Sequence, residues 1–242
     1  MRRKDKIRRY GLRQMRPKRM RRAKSYRVKS PPKPKQHPAF AAGPAPRKAA
    51  PRVARRNAPP LPTDASGLRA PVLKYARRFQ VKPSLILAVI KNESDFDPSA
   101  VSAKGAHGLM QLVPESGGRE AMSFLNGRKI TPSAQYLSRP KANIELGTTY
   151  LHILQNRYFG AIRDPLSRRH AVIAAYNAGP SRVARAITGT RDLAAAIRQI
   201  NRMTPAGLYR RLMQRLPHAE TRVYLARVTC DMGRFSALDR FS

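Results

Sequence analysis

The chain of 242 residues carries 50 Lys and Arg against 13 Asp and Glu, a formal net charge of +37, and a single cysteine. That length allows one or two domains with a buried core, and the charge draws polyanions such as nucleic acid, anionic lipid or anionic cell-envelope polymers. Lone Cys230 excludes an intramolecular disulfide and a Cys-cluster metal site, and no apolar run reaches the length of a membrane span.

Residues 1–64 hold 22 of the Lys and Arg, only 2 Asp, and 11 of the 21 prolines. Such a segment buries too little apolar surface to offset its ordering entropy. It is expected to be a disordered basic arm grading into a Pro/Ala/Arg linker, PPKPKQHPAFAAGPAPRKAAPRVARRNAPPLP. The arm has Tyr10, Tyr26 and Phe40 as its aromatics, so polyanion contact through residues 1–64 would be nonspecific and salt-sensitive. Its start, MRRKDKIRRYGLRQ, lacks the apolar core of a secretory signal and a cysteine to accept a lipid. Residues 65–242 are expected to form the folded domain.

Helical signals then follow almost without break. Pro71 suits a first helical turn, with Val72, Leu73, Tyr75, Ala76 and Phe79 as its apolar face. Ser84 is placed to cap the next helix, whose run LILAVIKNES is apolar on most sides and therefore expected at the centre. In 143–159, Gly147, Leu151, Leu154 and Tyr158 share one stripe. RRHAVIAAY continues to a stop at Asn177-Ala178-Gly179-Pro180, and Ser181 is the expected cap of SRVARAI. Thr204-Pro205 opens another helix with Leu208, Leu212 and Leu216 four apart, and ETRVYLARV is a last short one before an uninformative tail. No sustained period-two alternation occurs, so the class is all-α or nearly so. Cys230 reads as a small, semi-buried hydrophobe.

The stretch KNESDFDP places Glu93, Asp95 and Asp97 within five positions of a very basic chain. Ile86, Ile90 and Glu93 stand at i, i+4 and i+7, so Glu93 continues an apolar stripe. A carboxyl held against apolar surface has its charged form disfavoured, which suits a general acid near neutral pH. Asp95 and Asp97 fall at a helix end before Pro98, where capping or a turn explains them. Spacing alone leaves Glu93 either catalytic or incidental. Next comes a turn with Gly105 and Gly108, then an apolar segment bearing Gln111. Such glycines let a backbone approach a ligand, and an amide on an apolar wall can fix a polar substrate, although a plain interhelical turn fits as well.

The stretch ESDFDPSAVSAKGAHGLMQLVP resembles the catalytic motif of the soluble-lytic-transglycosylase (SLT) domain family, which has a lysozyme-like α-helical fold. AAYNAGPSRV at 174–183 is similar to that family's second block and ETRVYLARV at 220–228 to its third, with NIELGTTYL fitting the helix between. The motifs cover roughly 80–228, and GGRE, RDPLSRRHAVIAAYN and LMQRLPHAETRVYL resemble its membrane-bound lytic transglycosylase C branch. The resemblance implies a peptidoglycan lyase in which Glu93 is acid and then base, with no cofactor and no metal. It implies Ser102 beside that Glu, Gln111 as a substrate-contacting amide, and Met110 as pocket wall or core. Tyr176 and Asn177 would line the cleft beside the scissile bond, and Glu220 and Tyr224 would close it unless they form a buried structural pair. Peptidoglycan glycan strands are the implied partner, the cell envelope the implied location, and a monomer the expected state. A chain without a visible signal would need a corrected start, delivery by lysis or a virion, or a dedicated export system. The rivals are a lysozyme-like hydrolase, for which no second carboxylate is identifiable, and a non-catalytic glycan-binding or nucleic-acid-binding protein.

Overall fold

Helical punctuation sets most element boundaries in the computed structural model, which describes residues 67–241. The expected arm lies outside that range. The helices are α1 (Arg69–Phe79), α2 (Pro83–Ser94), α3 (Arg119–Asn126), α4 (Ala134–Leu137), α5 (Pro140–Ile153), α6 (Pro165–Ala178), α7 (Pro180–Thr188), α8 (Leu193–Ile200), α9 (Pro205–Arg215) and α10 (Ala219–Phe235). Proline opens α2, α5, α6, α7 and α9, where its missing N–H costs nothing and its fixed φ is already helical. Side chains of Ser133, Asp164, Asp192 and Thr204 accept from backbone N–H groups of the turns they start. Among the described residues there is no strand. Extended pairing is limited to two isolated bridges, His107 with Val101 and with Leu112.

Three expectations about the helices need correction. Ser84 does not cap α2, which begins one residue earlier. Its N–H and hydroxyl instead donate to the two carboxylate oxygens of Asp239, each at 2.9 Å. The tail that carried no signal therefore brings an acidic group to the positive end of α2. Ser181 lies inside the first turn of α7, and Gly179, at φ 87°, takes the cap position. The last helix runs on to Phe235, because Val228, Met232 and Phe235 extend its apolar stripe by two more turns and all are buried. Cys230 on that helix is exposed, not semi-buried.

The core is organised around α2, in which every residue from Pro83 to Ile90 is buried. Helix α10 packs along α2 and α6, and α1 packs on α5. Asn92 ties α2 to α10 by donating to Asp231 at 2.9 Å. Leu208, Leu212 and Leu216 are buried, as their spacing predicts. This packing holds the C-terminal end of α2, where Glu93 stands, against the start of α10.

Candidate active site

Glu93 closes the last turn of α2. The chain then reverses through Asp95 and Phe96, both at positive φ (53° and 69°). Asp95 is the C-cap and pairs with Lys91 one turn back. Asp97 accepts from the Ser99 N–H and hydroxyl at 2.8 and 2.6 Å, which holds its carboxyl below the usual range. Both aspartates thus serve the turn, and Glu93 alone of the three lines the cleft that follows.

That cleft, about 510 Å³, is a size suited to a small ligand or a few sugar rings. One wall is the glycine turn. Ser102 closes it, its hydroxyl accepting from the Ala106 N–H at 3.0 Å while its proton stays available to donate. Gln111, at φ 44°, donates both amide hydrogens back into the turn, to the carbonyls of Ala100 and Gly108 at 2.9 Å each. Its oxygen, not its NH2, is therefore the atom left to meet a substrate. Gly108 is needed for a different approach from the one expected: a Cβ there would come 2.6 Å from both Asn143 Nδ2 and the Leu137 carbonyl. The close approach is to the protein's own core.

Three helices grip the segment after Gly108. Ser94 of α2 donates to the Leu109 carbonyl at 2.9 Å. Fully buried Asn143 of α5 accepts from the Met110 N–H at 2.7 Å and donates to the carbonyls of His107 and Leu137, both at 2.8 Å. Tyr176 of α6 donates to the Met110 carbonyl at 2.8 Å. Met110 itself is fully buried against Gly147, where a Cβ would lie only 2.3 Å from its sulfur, so it is core.

The opposite wall comes from the ends of α6 and α10. Asn177 accepts from the buried Thr221 hydroxyl at 2.7 Å, which locks the two helix ends together. Tyr224 is buried and faces the Glu93 carboxyl, while its hydroxyl reaches no partner of full hydrogen-bond geometry. Glu220 is exposed on the rim and sits 3.6 Å from Lys104 across the mouth. The alternative of a buried Glu–Tyr pair is therefore not formed: the two residues lie one turn apart, Glu220 exposed beside Lys104 and Tyr224 buried beside Glu93. Tyr150, from the helix that resembled the family without a residue being singled out, also lines the cleft, its ring 5.5 Å from that of Tyr176. Lys104 and Arg182 line it too.

Burial pushes the Glu93 carboxyl up to about 7; the Tyr224 hydroxyl pulls it down, and the negative charge of Glu220 adds to the rise. Burial, with the Glu93 charge second, raises Tyr176 and Tyr224 well above the usual phenol range, so both remain protonated. A carboxyl poised near neutrality among hydroxyl and amide groups can give up a proton and take one back. Replacing Tyr224 by Phe removes the one downward influence on Glu93. The alkaline limb of a pH–rate profile is expected to move to higher pH, with a loss in rate of no more than about tenfold. A limb that stays in place would mean Tyr224 does not act on Glu93. Among the described residues no group of His, Cys, Asp and Glu is arranged to hold a metal ion.

The fold is that of the lysozyme-like transglycosylases: residues 70–199 match the transglycosylase SLT domain, and the chain belongs to that family. The third motif, with Glu220 and Tyr224, lies beyond the matched stretch. The membrane-bound lytic murein transglycosylase C of Pectobacterium atrosepticum is 44% identical over 157 residues, 65% of this chain and 43% of the relative. That of Edwardsiella ictaluri is 45% identical over the same shares. The chain thus spans less than half the length of these curated relatives. Among solved structures, an inactive variant of the lytic transglycosylase Slt from Pseudomonas aeruginosa aligns with a TM-score of 0.50 at 30% identity, over 69% of this chain and 24% of that one.

Proposed function

We propose that the protein is a peptidoglycan lytic transglycosylase that cleaves the β-1,4 bond between N-acetylmuramic acid and N-acetylglucosamine. The observation that carries this is Glu93: a carboxyl at the base of a sugar-sized cleft, pushed up to about 7 by burial and so protonated in a large fraction near neutral pH. The relatives' names support it, as does the similarity to a solved lytic transglycosylase.

In the reaction Glu93 gives its proton to the glycosidic oxygen as the bond to the muramoyl C1 breaks. The muramoyl C6 hydroxyl oxygen attacks C1 and its proton passes to the Glu93 carboxylate. The product is a 1,6-anhydro end, the acid is regenerated, and no water is consumed. Because the substrate supplies the nucleophile, one carboxyl suffices, whereas glycosidases ordinarily use two. Ser102 and the Gln111 oxygen meet sugar hydroxyl or acetamido groups from one wall, Asn177 and the Tyr176 oxygen from the other. Lys104 and Glu220 close the mouth.

One observation favours hydrolysis instead. Glu220 is a second carboxylate on the same cleft, close enough to raise Glu93, and its role was not separable in the sequence. Its exposure and its pairing with Lys104 argue for sugar contact at the rim over activation of a water. Products decide the matter. The full chain is expected to release muropeptides lacking a reducing end and one water lighter than hydrolytic products, read by mass spectrometry after digestion of purified sacculi. Reducing ends carrying solvent oxygen would make the protein a hydrolase with Glu220 as the second carboxylate.

The action is placed in the cell envelope, where the substrate is. No described helix is long and apolar enough to cross a membrane. The 22 Lys and Arg of residues 1–64 support a salt-sensitive tether to an anionic polymer of the envelope, which would raise the local concentration of the catalytic part.

A further inference from the structure

Away from Glu93 the domain holds another pocket, of about 350 Å³. Helices α2, α6 and α10 each lend one end to the sugar cleft, through Glu93, Tyr176 and Glu220. Their opposite ends meet at this pocket, through Leu85, Val172 and Met232. At 1.5 Å per helical residue, Leu85 and Glu93 stand about 12 Å apart along α2, so the two sites are separate.

The lining is one-sided in its chemistry. Leu85, Val172 and Met232 are almost wholly buried and make an apolar floor, with Leu166 exposed at the rim. The polar groups are Lys82, Arg168, Arg169 and the amides of Gln80 and Gln155, and no carboxylate lines the space. Two of the cations are engaged by the protein itself. Lys82 stands 3.8 Å from Asp239, and Arg168 donates from Nε and Nη2 to the Ile162 carbonyl. Arg169 differs: its Nε–H is buried and meets no acceptor among the described residues. A buried donor without a partner carries a desolvation penalty that a ligand oxygen would remove.

We propose that this pocket binds an amphipathic monoanion, with a carboxylate held by Arg169 and an apolar tail lying on Leu85, Val172 and Met232. A guanidinium pairs with a carboxylate through charge-assisted hydrogen bonds, and no acid in the lining competes for it. The floor selects the rest of the ligand. A sugar or a nucleotide would strand its hydroxyls against three apolar side chains, whereas an acyl chain gains by covering them. At the volume per atom of a liquid, the pocket holds roughly ten heavy atoms, the size of a medium-chain fatty acid. Bound there, the anion joins the three helices that carry the sugar cleft at their other ends, and it stabilises the folded state by mass action. The inference stands apart from the reaction assigned to the cleft.

The test titrates sodium octanoate into the full chain at physiological salt, with 1-octanol as the uncharged probe and acetate as the tailless one. Octanoate is expected to bind at least about tenfold more tightly than either, and to shift the NMR signals of Leu85, Arg169, Val172 and Met232. Arg169→Gln should bring octanoate down to the level of octanol. Leu166→Glu, an exposed change that sets a carboxylate at the rim, should weaken octanoate by about tenfold and leave octanol within about twofold. Circular dichroism checks that each variant is folded, and Leu166→Glu carries the test should Arg169→Gln fail to fold. Exposed Arg198 lines neither space, so Arg198→Gln should change nothing. Equal binding of octanoate and octanol would overturn the anion site. So would octanoate shifts confined to the basic residues 1–64, or affinity unmoved by both pocket variants.

Discussion

Glu93→Gln is expected to lose at least about three orders of magnitude in kcat on sacculi while becoming more stable at alkaline pH. The first effect follows from chemistry: the amide can neither give a proton to the leaving oxygen nor take one from the attacking hydroxyl. The second follows from linkage. Burial raises Glu93 from 4.5 to about 7, so the folded state binds its proton more tightly than the unfolded chain. The native protein therefore loses stability as pH rises from below 4.5 to above 7, by at most about 3 kcal/mol for a shift of this size. Gln carries no charge and escapes that loss. Denaturant unfolding should give nearly equal stabilities at pH 4 and a more stable variant at pH 8. An equal difference at both pH values would mean that Glu93 is not held against its ionisation.

The same group predicts the shape of the pH–rate curve. As acid, Glu93 must start protonated, so kcat/KM falls as pH rises past about 7. As base, it acts only after its own proton has left, so it creates no ascending limb of its own. A one-sided profile is expected. A bell with an acid limb that vanishes in Glu220→Gln would instead reveal a second ionised carboxylate and a hydrolytic mechanism.

Asn143→Ala is the substitution expected to cost most in stability, about 3–5 kcal/mol. It removes three hydrogen bonds at a fully buried site and strands the Met110 N–H and the Leu137 carbonyl, while the His107 carbonyl keeps the Leu112 N–H at 3.1 Å. A buried backbone group without a partner carries its whole desolvation penalty. With net stabilities of about 5–15 kcal/mol for a domain, the variant should show a large drop in denaturation midpoint. What still folds should bind substrate poorly, because Met110 is also the anchor of Tyr176. A loss below about 1 kcal/mol would show that the glycine turn holds itself.

Much of the architecture was written locally. Prolines at helix starts, Thr204 as a cap, Gly179 at a helix stop and the leucines of α9 act within a turn or two of their own positions, so spacing and residue type suffice to read them. Glu93 was legible for the same reason: its place on the stripe of Ile86 and Ile90 foretold the burial that raises it. Where the partner is remote, the sequence was silent or misleading. Ser84 looked like a cap because nothing local announces that Asp239, 155 residues on, will take its donors. Nothing local marks the roles of Asn143 and Ser94, which become visible only when Leu109 and Met110 are laid across α2, α5 and α6. Glu220 and Tyr224 read as one unit because they are neighbours in sequence; a helical turn of separation puts one in solvent and the other under the acid. Local pattern thus determined which residues are helical and which carboxyl is forced toward neutrality. Tertiary packing decided which polar groups meet, since a buried hydrogen bond or a shared cleft wall depends on distances between segments that no spacing along the chain encodes.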